Sequence, residues 1–328
     1  MKAIVLPATG PAEALVYTDL ERPEPGPGQI LIEVAAAGLS FGDVQLRCGL
    51  YPHMPPLPFV TGYEAAGVVV GTGAGVPADW LGARVVVVTQ GGCAAQYVAS
   101  YTIFAARLPD SVSFETAIGI GVNYLTARIL LRRAAPVARG ATMVVYAAAG
   151  GVGSALVQLG KLDGAQVIGL AGSEAKCRFV RDLGADAVLQ SGAGPLAGAV
   201  RGITGAPGAA VVFNSVGGTT LADDLGMLGP FGQVVLYGMA GGPPAPDFMP
   251  AFLGAFGLSP ALRLMSLESV AMSDPASMGQ ILQELVDLAA AGLITPKLHA
   301  VLPLAEAAAG HRLLESRQVM GKLVLAVR

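Results

Sequence analysis

Residues 144–153 read VVYAAAGGVG and run directly into SALVQL. An apolar stretch, a turn of alanine and glycine, and the first turns of a helix follow one another without a gap. That is the order of a Rossmann strand, its phosphate-binding turn and the helix behind it. Aligned on G-x-G-x-x-G, Gly150 and Gly153 take the second and third glycine positions, and Ala148 takes the first. The short side chains of Ala149, Gly150 and Gly151 let backbone N–H groups approach a pyrophosphate. Val152 opens the helix, whose N-terminus adds partial positive charge. Gly153 allows the helix to pack closely on the strand.

Outward from this stretch the pattern alternates. Apolar strands are predicted at 143–148, 166–170, 186–189, 209–213 and 233–237. Helices are predicted at 152–163, 174–183 (stopped by Gly184) and 219–228. Near-continuous apolar strands with intervening helices imply a parallel sheet covered on both faces. The first hundred residues read differently. Short apolar stretches at 30–36, 67–70, 83–88 and 94–98 are cut by glycine and proline, and PEPGPG at 23–28 is a turn cluster. A helix over 114–133 has Ser113 as N-cap and Glu115 in its first turn. A helix at 278–291 and a strand at 322–327 close the chain. Residues 241–262, GGPPAPDFMPAFLGAFGLSPAL, carry one charge and predict a loop and helix, at a subunit contact or under a lid.

Composition narrows the function classes. The 328 residues suggest two domains, and 53% hydrophobic against 13% charged residues is far from a disordered chain. A net charge of −3 without a basic stripe, with 6% aromatic residues, argues against a nucleic-acid platform. The mean hydropathy of +0.60 raises the question of a membrane. The uncharged runs 141–160 and 225–246 approach the ~20 residues a span needs. Both are broken by glycine clusters, and the second by Pro230, Pro243 and Pro244, so they read as buried strands with turns. The N-terminal MKAIVLPATG is a strand pattern, not a signal peptide, and a cytoplasmic protein is expected. Cys48, Cys93 and Cys177, with His53, His299 and His311, show no metal-ligand spacing, so no metal is expected.

About 20 residues beyond the glycine turn, an NAD site presents an acid to the ribose. Here residues 170–173 read LAGS, with no acid before Glu174. Gly172 and Ser173 leave room for a 2′-phosphate, Ser173 can donate to it, and Lys176 adds charge, with Arg178 two residues on. NADPH is the expected cofactor, although Glu174 is also placed to reach a ribose hydroxyl.

At this point the chain resembles a known group, the zinc-independent quinone oxidoreductases of the medium-chain dehydrogenase/reductase superfamily. The resemblance is carried by AGLSFGD (37–43), RCGLYP (47–52), GYEAAGV (62–68), LTA (125–127), AAAGGVG (147–153), GAD (184–186), HRLLES (311–316) and GKLVL (321–325). It implies an α/β protein: a GroES-like β-rich catalytic domain (1–122 and 266–328) and a doubly wound Rossmann domain (123–265), with an active site in the cleft and a homodimer or tetramer as the assembly. Zinc-dependent relatives place Cys-His where this chain has Ser40-Phe41, His where it has Tyr63, and Cys near Val122. Serine, tyrosine and valine do not supply a zinc ligand set. The quinone oxidoreductases commonly carry Asn where this chain has Ser40, and a Tyr beside the adenosine phosphate where it has Ser191.

The resemblance implies that Tyr51 and Tyr63 orient the acceptor or donate a proton. Ser40 and Asn123 would hydrogen-bond the acceptor or the nicotinamide carboxamide, and Thr126 would contact the nicotinamide end. Asp43 is expected to be structural. Asn214 to Gly217 and Tyr237-Gly238-Met239 end strands where Rossmann ligands bind, with Gly217 and Gly238 allowing close approach. Lys322 is placed at the cofactor or on the surface. A quinone or enone spreads the charge that hydride addition creates, so donors and orientation can replace a Lewis acid. Two other readings stand beside this one: an enoyl or 2-alkenal reductase, and a non-catalytic NADPH-binding or nucleic-acid-binding protein.

Overall fold

The strand that opens the glycine turn, Thr142–Val145, is buried along its whole length, as a central strand of a sheet covered on both faces must be. In a computed structural model, which describes residues 1–205 and 207–328, it lies in the middle of a six-stranded sheet. The order is Ala187–Gln190, Gln166–Ala171, Thr142–Val145, Ala209–Asn214, Leu228–Leu236, Ala261–Leu264. Every pair is parallel. This is the doubly wound order whose direction of winding reverses between Thr142–Val145 and Ala209–Asn214. Ligands of such sheets bind outside the carboxyl ends at that reversal. The core here is aliphatic, with Val144, Ile168, Leu170, Val212, Leu221 and Val234 in one cluster.

The second sheet has seven strands. Its order is Leu298–Pro303, Lys322–Ala326, Gln29–Leu39, Glu64–Thr72, Arg84–Val88, Ala105–Arg107, with Tyr97–Tyr101 also pairing with Gln29–Leu39. The last strand of the chain thus pairs antiparallel with an early one, Leu323 opposite Leu39. Val16–Asp19, Lys2–Leu6 and Phe59–Val60 form a smaller sheet. The chain divides into two units, Met1–Leu125 with Val270–Arg328, and Thr126–Ser269. Both divisions fall inside helices, Phe114–Ile129 and Leu267–Ser273.

Several predicted elements differ from those observed. The strand predicted over 143–148 stops at Val145, because Ala147 turns the chain with φ +47°. The helix over 114–133 bends at Gly121 and ends in a wider turn over Leu130–Ala134. Residues 241–262 contain the helix Phe248–Gly254 and also the start of the edge strand Ala261–Leu264. That strand has no alternating pattern; pairing with Leu228–Leu236 is what extends it. The helix Leu196–Thr204 carries two glycines, which cost roughly 1 kcal/mol each in intrinsic preference, and sits on the unit through buried Val200. No helix among the described residues is long and apolar enough to cross a membrane.

Candidate functional site

The glycine turn forms as the sequence indicates. Gly150 is the N-cap of the helix Gly151–Leu162, and no side chain caps it. The first N–H groups of a helix have no partner within it, so the amides of Gly151, Val152 and Gly153 are left as donors with the helix dipole behind them. Ala149 is buried beneath them. A Cβ on Gly153 would lie 2.8 Å from the Ala148 Cα and nearer still to the Ala147 carbonyl oxygen. Gly153 is therefore the residue that lets helix and turn touch. The left-handed Ala147 had no signal in the sequence, since alanine rarely adopts that conformation.

The corner assigned to a 2′-phosphate is assembled from two neighbouring strand ends. The Ser191 N–H donates to the Ala171 carbonyl at 2.9 Å, bringing Ser191 to Gly172 and Ser173. Ser173 caps the helix Glu174–Asp182, its hydroxyl accepting from the Lys176 N–H at 3.3 Å. Gly172 faces open space. Partial burial lowers the Lys176 ammonium pKa, a tendency a bound phosphate would oppose. Glu174, the alternative ribose ligand, is paired with Arg181 at 3.1 Å and with Arg178 at 3.9 Å.

Asn214 takes a different part from the one expected. It is fully buried; its amide donates to Thr220 at 2.9 Å and to Asp224 at 2.6 Å, and its oxygen accepts from the Val216 and Gly217 N–H groups. Its side chain is spent shaping the loop. Burial pushes the Asp224 carboxyl up to about 7. Gly217 and Gly238 also have a nearer reason to be glycine than cofactor approach. The loops after the two strands zip together through Ala240 N–H to Ser215 O, Gly241 N–H to Val216 O and Gly218 N–H to Gly242 O. A Cβ on Gly217 would meet the Gly242 oxygen at 2.7 Å, and one on Gly238 the Ser215 oxygen at 3.0 Å. Tyr237 begins the second loop, its N–H on the Asn214 carbonyl; burial raises its phenol to about 12.

In the other unit Ser40 and Val122, at two of the positions that hold zinc in zinc-dependent relatives, are tied into a network with Asp43, Lys322 and Glu64. Ser40 caps the short helix Phe41–Arg47 in a capping box with Asp43, whose carboxylate accepts from the Ser40 N–H at 2.8 Å. Lys322, expected at the cofactor or the surface, is 2% exposed, ion-paired with the equally buried Glu64, and donates to Ser40 Oγ at 2.8 Å. Glu64 also accepts from the Val122 N–H, which the kink at Gly121 turns toward it. Gly38 and Gly121 are the two positions where a Cβ would collide with the Glu64 side chain. Asp43 is buried, and burial raises its carboxyl to about 6 despite the Ser40 N–H and nearby Lys322. Glu64, Gly38 and Gly121 were not singled out from the sequence. The signal for the first lay in GYEAAGV, where a glutamate interrupts an otherwise small and apolar strand.

Tyr51 and Tyr63 are brought together, ring centroids 6.2 Å apart and planes inclined at 31°, both half-buried against the same core. Asn123 follows the Gly121 kink and is buried. Thr126, also buried, is the first residue of the other unit. Among the described residues no three His, Cys, Asp or Glu side chains gather as a metal centre.

The alcohol dehydrogenase GroES-like domain family matches residues 26–130, and the zinc-binding dehydrogenase family matches residues 151–286. Fold and family place the chain in the class of oxidoreductases that join a GroES-like domain to a Rossmann sheet. A probable quinone oxidoreductase of Schizosaccharomyces pombe is 33% identical over 97% of this chain and 94% of its own. A 2-haloacrylate reductase of Burkholderia is 32% identical over 99% and 98%. The structure of Escherichia coli quinone oxidoreductase complexed with NADPH superposes with a TM-score of 0.92 at 30% identity, covering 99% of this chain and 100% of that one. The chain belongs to the quinone oxidoreductase branch of the medium-chain dehydrogenase/reductase superfamily.

Proposed function

We propose that this protein is an NADPH-dependent, metal-independent reductase of quinones and related conjugated carbonyl compounds. The observation that carries the reading is the uncapped helix N-terminus at Gly151, Val152 and Gly153, together with neighbouring strand ends that carry Ser173 with Lys176 and Ser191, where the nearest acid, Glu174, is tied to Arg181. These residues fit the nucleotide: the amides suit a pyrophosphate and the corner suits a 2′-phosphate. The complex of the E. coli relative with NADPH supports the same choice. Once bound, NADPH supplies a hydride.

The remaining work falls to the chain's own side chains. Reduction of a quinone leaves charge on a phenolate-like oxygen, with a pKa of about 10 by analogy with tyrosine, and reduction of an enone leaves a delocalised enolate. Neither acceptor needs a Lewis acid as strongly as a simple ketone does. Ser40, Tyr51, Tyr63 and Asn123 are proposed to orient the acceptor and direct hydrogen-bond donors to its oxygen. The likeness to a 2-haloacrylate reductase supports a second reading, hydride delivery to the β-carbon of an unsaturated carbonyl, as in enoyl and 2-alkenal reductases. Purified protein with NADPH should oxidise it with benzoquinone or phenanthrenequinone. Oxidation by enones or enoyl thioesters alone would transfer the assignment to the second reading.

We further propose a homodimer, supported by the apolar edge formed by Met249, Leu253, Phe256 and Leu264, each more than half exposed. A reducing, cytoplasmic setting is supported by three unpaired cysteines.

A further inference from the structure

The buried Lys322–Glu64 pair and its contact with Ser40 carry an inference that deepens the reading above and rests on it for the nature of the acceptor. An ammonium has three hydrogens and no lone pair, so in the 2.8 Å contact Ser40 Oγ can only accept. The Asp43 N–H at the start of the helix bonds the Ser40 carbonyl at 3.0 Å. A hydroxyl offers two acceptor sites and one hydrogen. With Lys322 donating to the oxygen, the Ser40 hydrogen remains for donation, and no side chain or carbonyl among the described residues takes it.

Everything behind Ser40 holds this arrangement in place. The antiparallel pairing of Lys322–Ala326 with Gln29–Leu39 sets Lys322 beside Ser40. Glu64 anchors the ammonium; it is itself held by the Val122 N–H at the Gly121 kink, in a space left by Gly38 and Gly121. A buried ion pair of this kind contributes little net stability, because desolvation offsets its attraction. It does fix geometry and polarise the group it touches.

We propose that Lys322 is a positioning residue that holds Ser40 as a dedicated hydrogen-bond donor to the oxygen on which negative charge develops in the acceptor. The test uses the full chain with NADP⁺ and 4-nitrophenolate, a stable phenolate whose absorbance band reports hydrogen bonding to its oxygen. Ser40→Ala and Lys322→Met should each weaken phenolate binding about tenfold. The double variant should be no weaker than either single one, because both remove the same donor. Lys322→Arg, which also has donors only, should recover most of the loss. NADPH affinity should stay within about twofold throughout. With benzoquinone the loss should appear in kcat, not KM.

Lys322→Met leaves Glu64 buried and unpaired; should it fail to fold, the charge-neutral Glu64→Gln/Lys322→Met variant provides the same comparison. Losses that multiply in the double variant, unchanged phenolate binding in Lys322→Met, or a loss of NADPH affinity instead would each overturn the proposal. So would a wild-type chain that binds no phenolate. A wild-type chain that binds phenolate through Ser40 and Lys322 yet reduces no quinone would sink the functional reading and leave this assignment standing.

Discussion

At the residue scale, the nucleotide preference turns on Lys176 and its neighbours. Ser173 accepts from the Lys176 N–H and can offer a 2′-phosphate only a neutral donor, so the charge that distinguishes NADPH from NADH has to come chiefly from Lys176. Lys176→Ala should cut the preference for NADPH about tenfold, the worth of one charge-assisted contact, with NADH affinity little changed. Fluorescence titration with both nucleotides measures this; equal losses for the two would show that Lys176 does not read the 2′-phosphate. His311 allows a different test. It is fully buried, and burial, followed by the nearby Arg47 guanidinium, lowers its pKa to about 4. Between about 6.5 and that value the unfolded chain binds the proton and the folded chain does not, so this stability is present above about 6.5 and lost as pH falls toward 4. Asp43 and Asp224, raised to about 6 and 7, act in the opposite sense, holding protons in the fold and losing that contribution as pH rises. The comparison must therefore be between proteins: His311→Phe should lose less unfolding free energy than wild type between pH 7 and pH 4, by an amount on the order of 3 kcal/mol at most. Parallel losses would contradict the assignment. Residue identities were legible in the sequence wherever the backbone does the work, as at Gly150 and Gly153. They were not legible where a side chain's partner is remote in sequence. Nothing in GKLVL shows that Lys322 lies against Ser40.

At the element scale, the strand–turn–helix unit was readable because its chemistry is local. The strand must be apolar, the turn small and the helix close. Even so, the turn starts earlier than the apolar pattern suggests, since Tyr146 and Ala147 continue the run of small and apolar residues while the chain has already left the sheet. Gly153→Ala tests the packing half of the argument. Its new Cβ would collide with the backbone of Ala147 and Ala148, so the helix must move. A loss of about 1–3 kcal/mol in unfolding free energy and a severe loss of NADPH binding are expected together. Normal binding in a destabilised protein would separate the glycine from the phosphate cradle. The loops at 214–218 and 238–242 were located by strand ends, but the local reason for their residues was not legible. Their glycines serve a backbone-to-backbone zipper, and Asn214 serves the loop it belongs to.

At the scale of the whole molecule, the sequence shows where alternation begins, near 140, but not that helices run through the divisions at Leu125/Thr126 and Ser269/Val270. It also conceals the edge strand Ala261–Leu264, whose form depends on its neighbour in the sheet. That strand leaves one edge open, flanked by exposed Phe256 and Leu264. An exposed apolar strand edge is a template for pairing. Light scattering should give a dimer for wild type and a shift toward monomer for Leu264→Lys; a monomeric wild type would remove the proposed assembly.

The central claim joins three parts: an NADPH cradle, a conjugated acceptor and no metal. The measurement that addresses all three is a fluorescence titration of EDTA-treated protein with NADPH and NADH, followed by benzoquinone while reduced nicotinamide is monitored. NADPH should bind more tightly than NADH, and quinone should then oxidise it at a rate unchanged by EDTA. Failure of either nucleotide to bind, or activity that returns only with added zinc, would contradict the account.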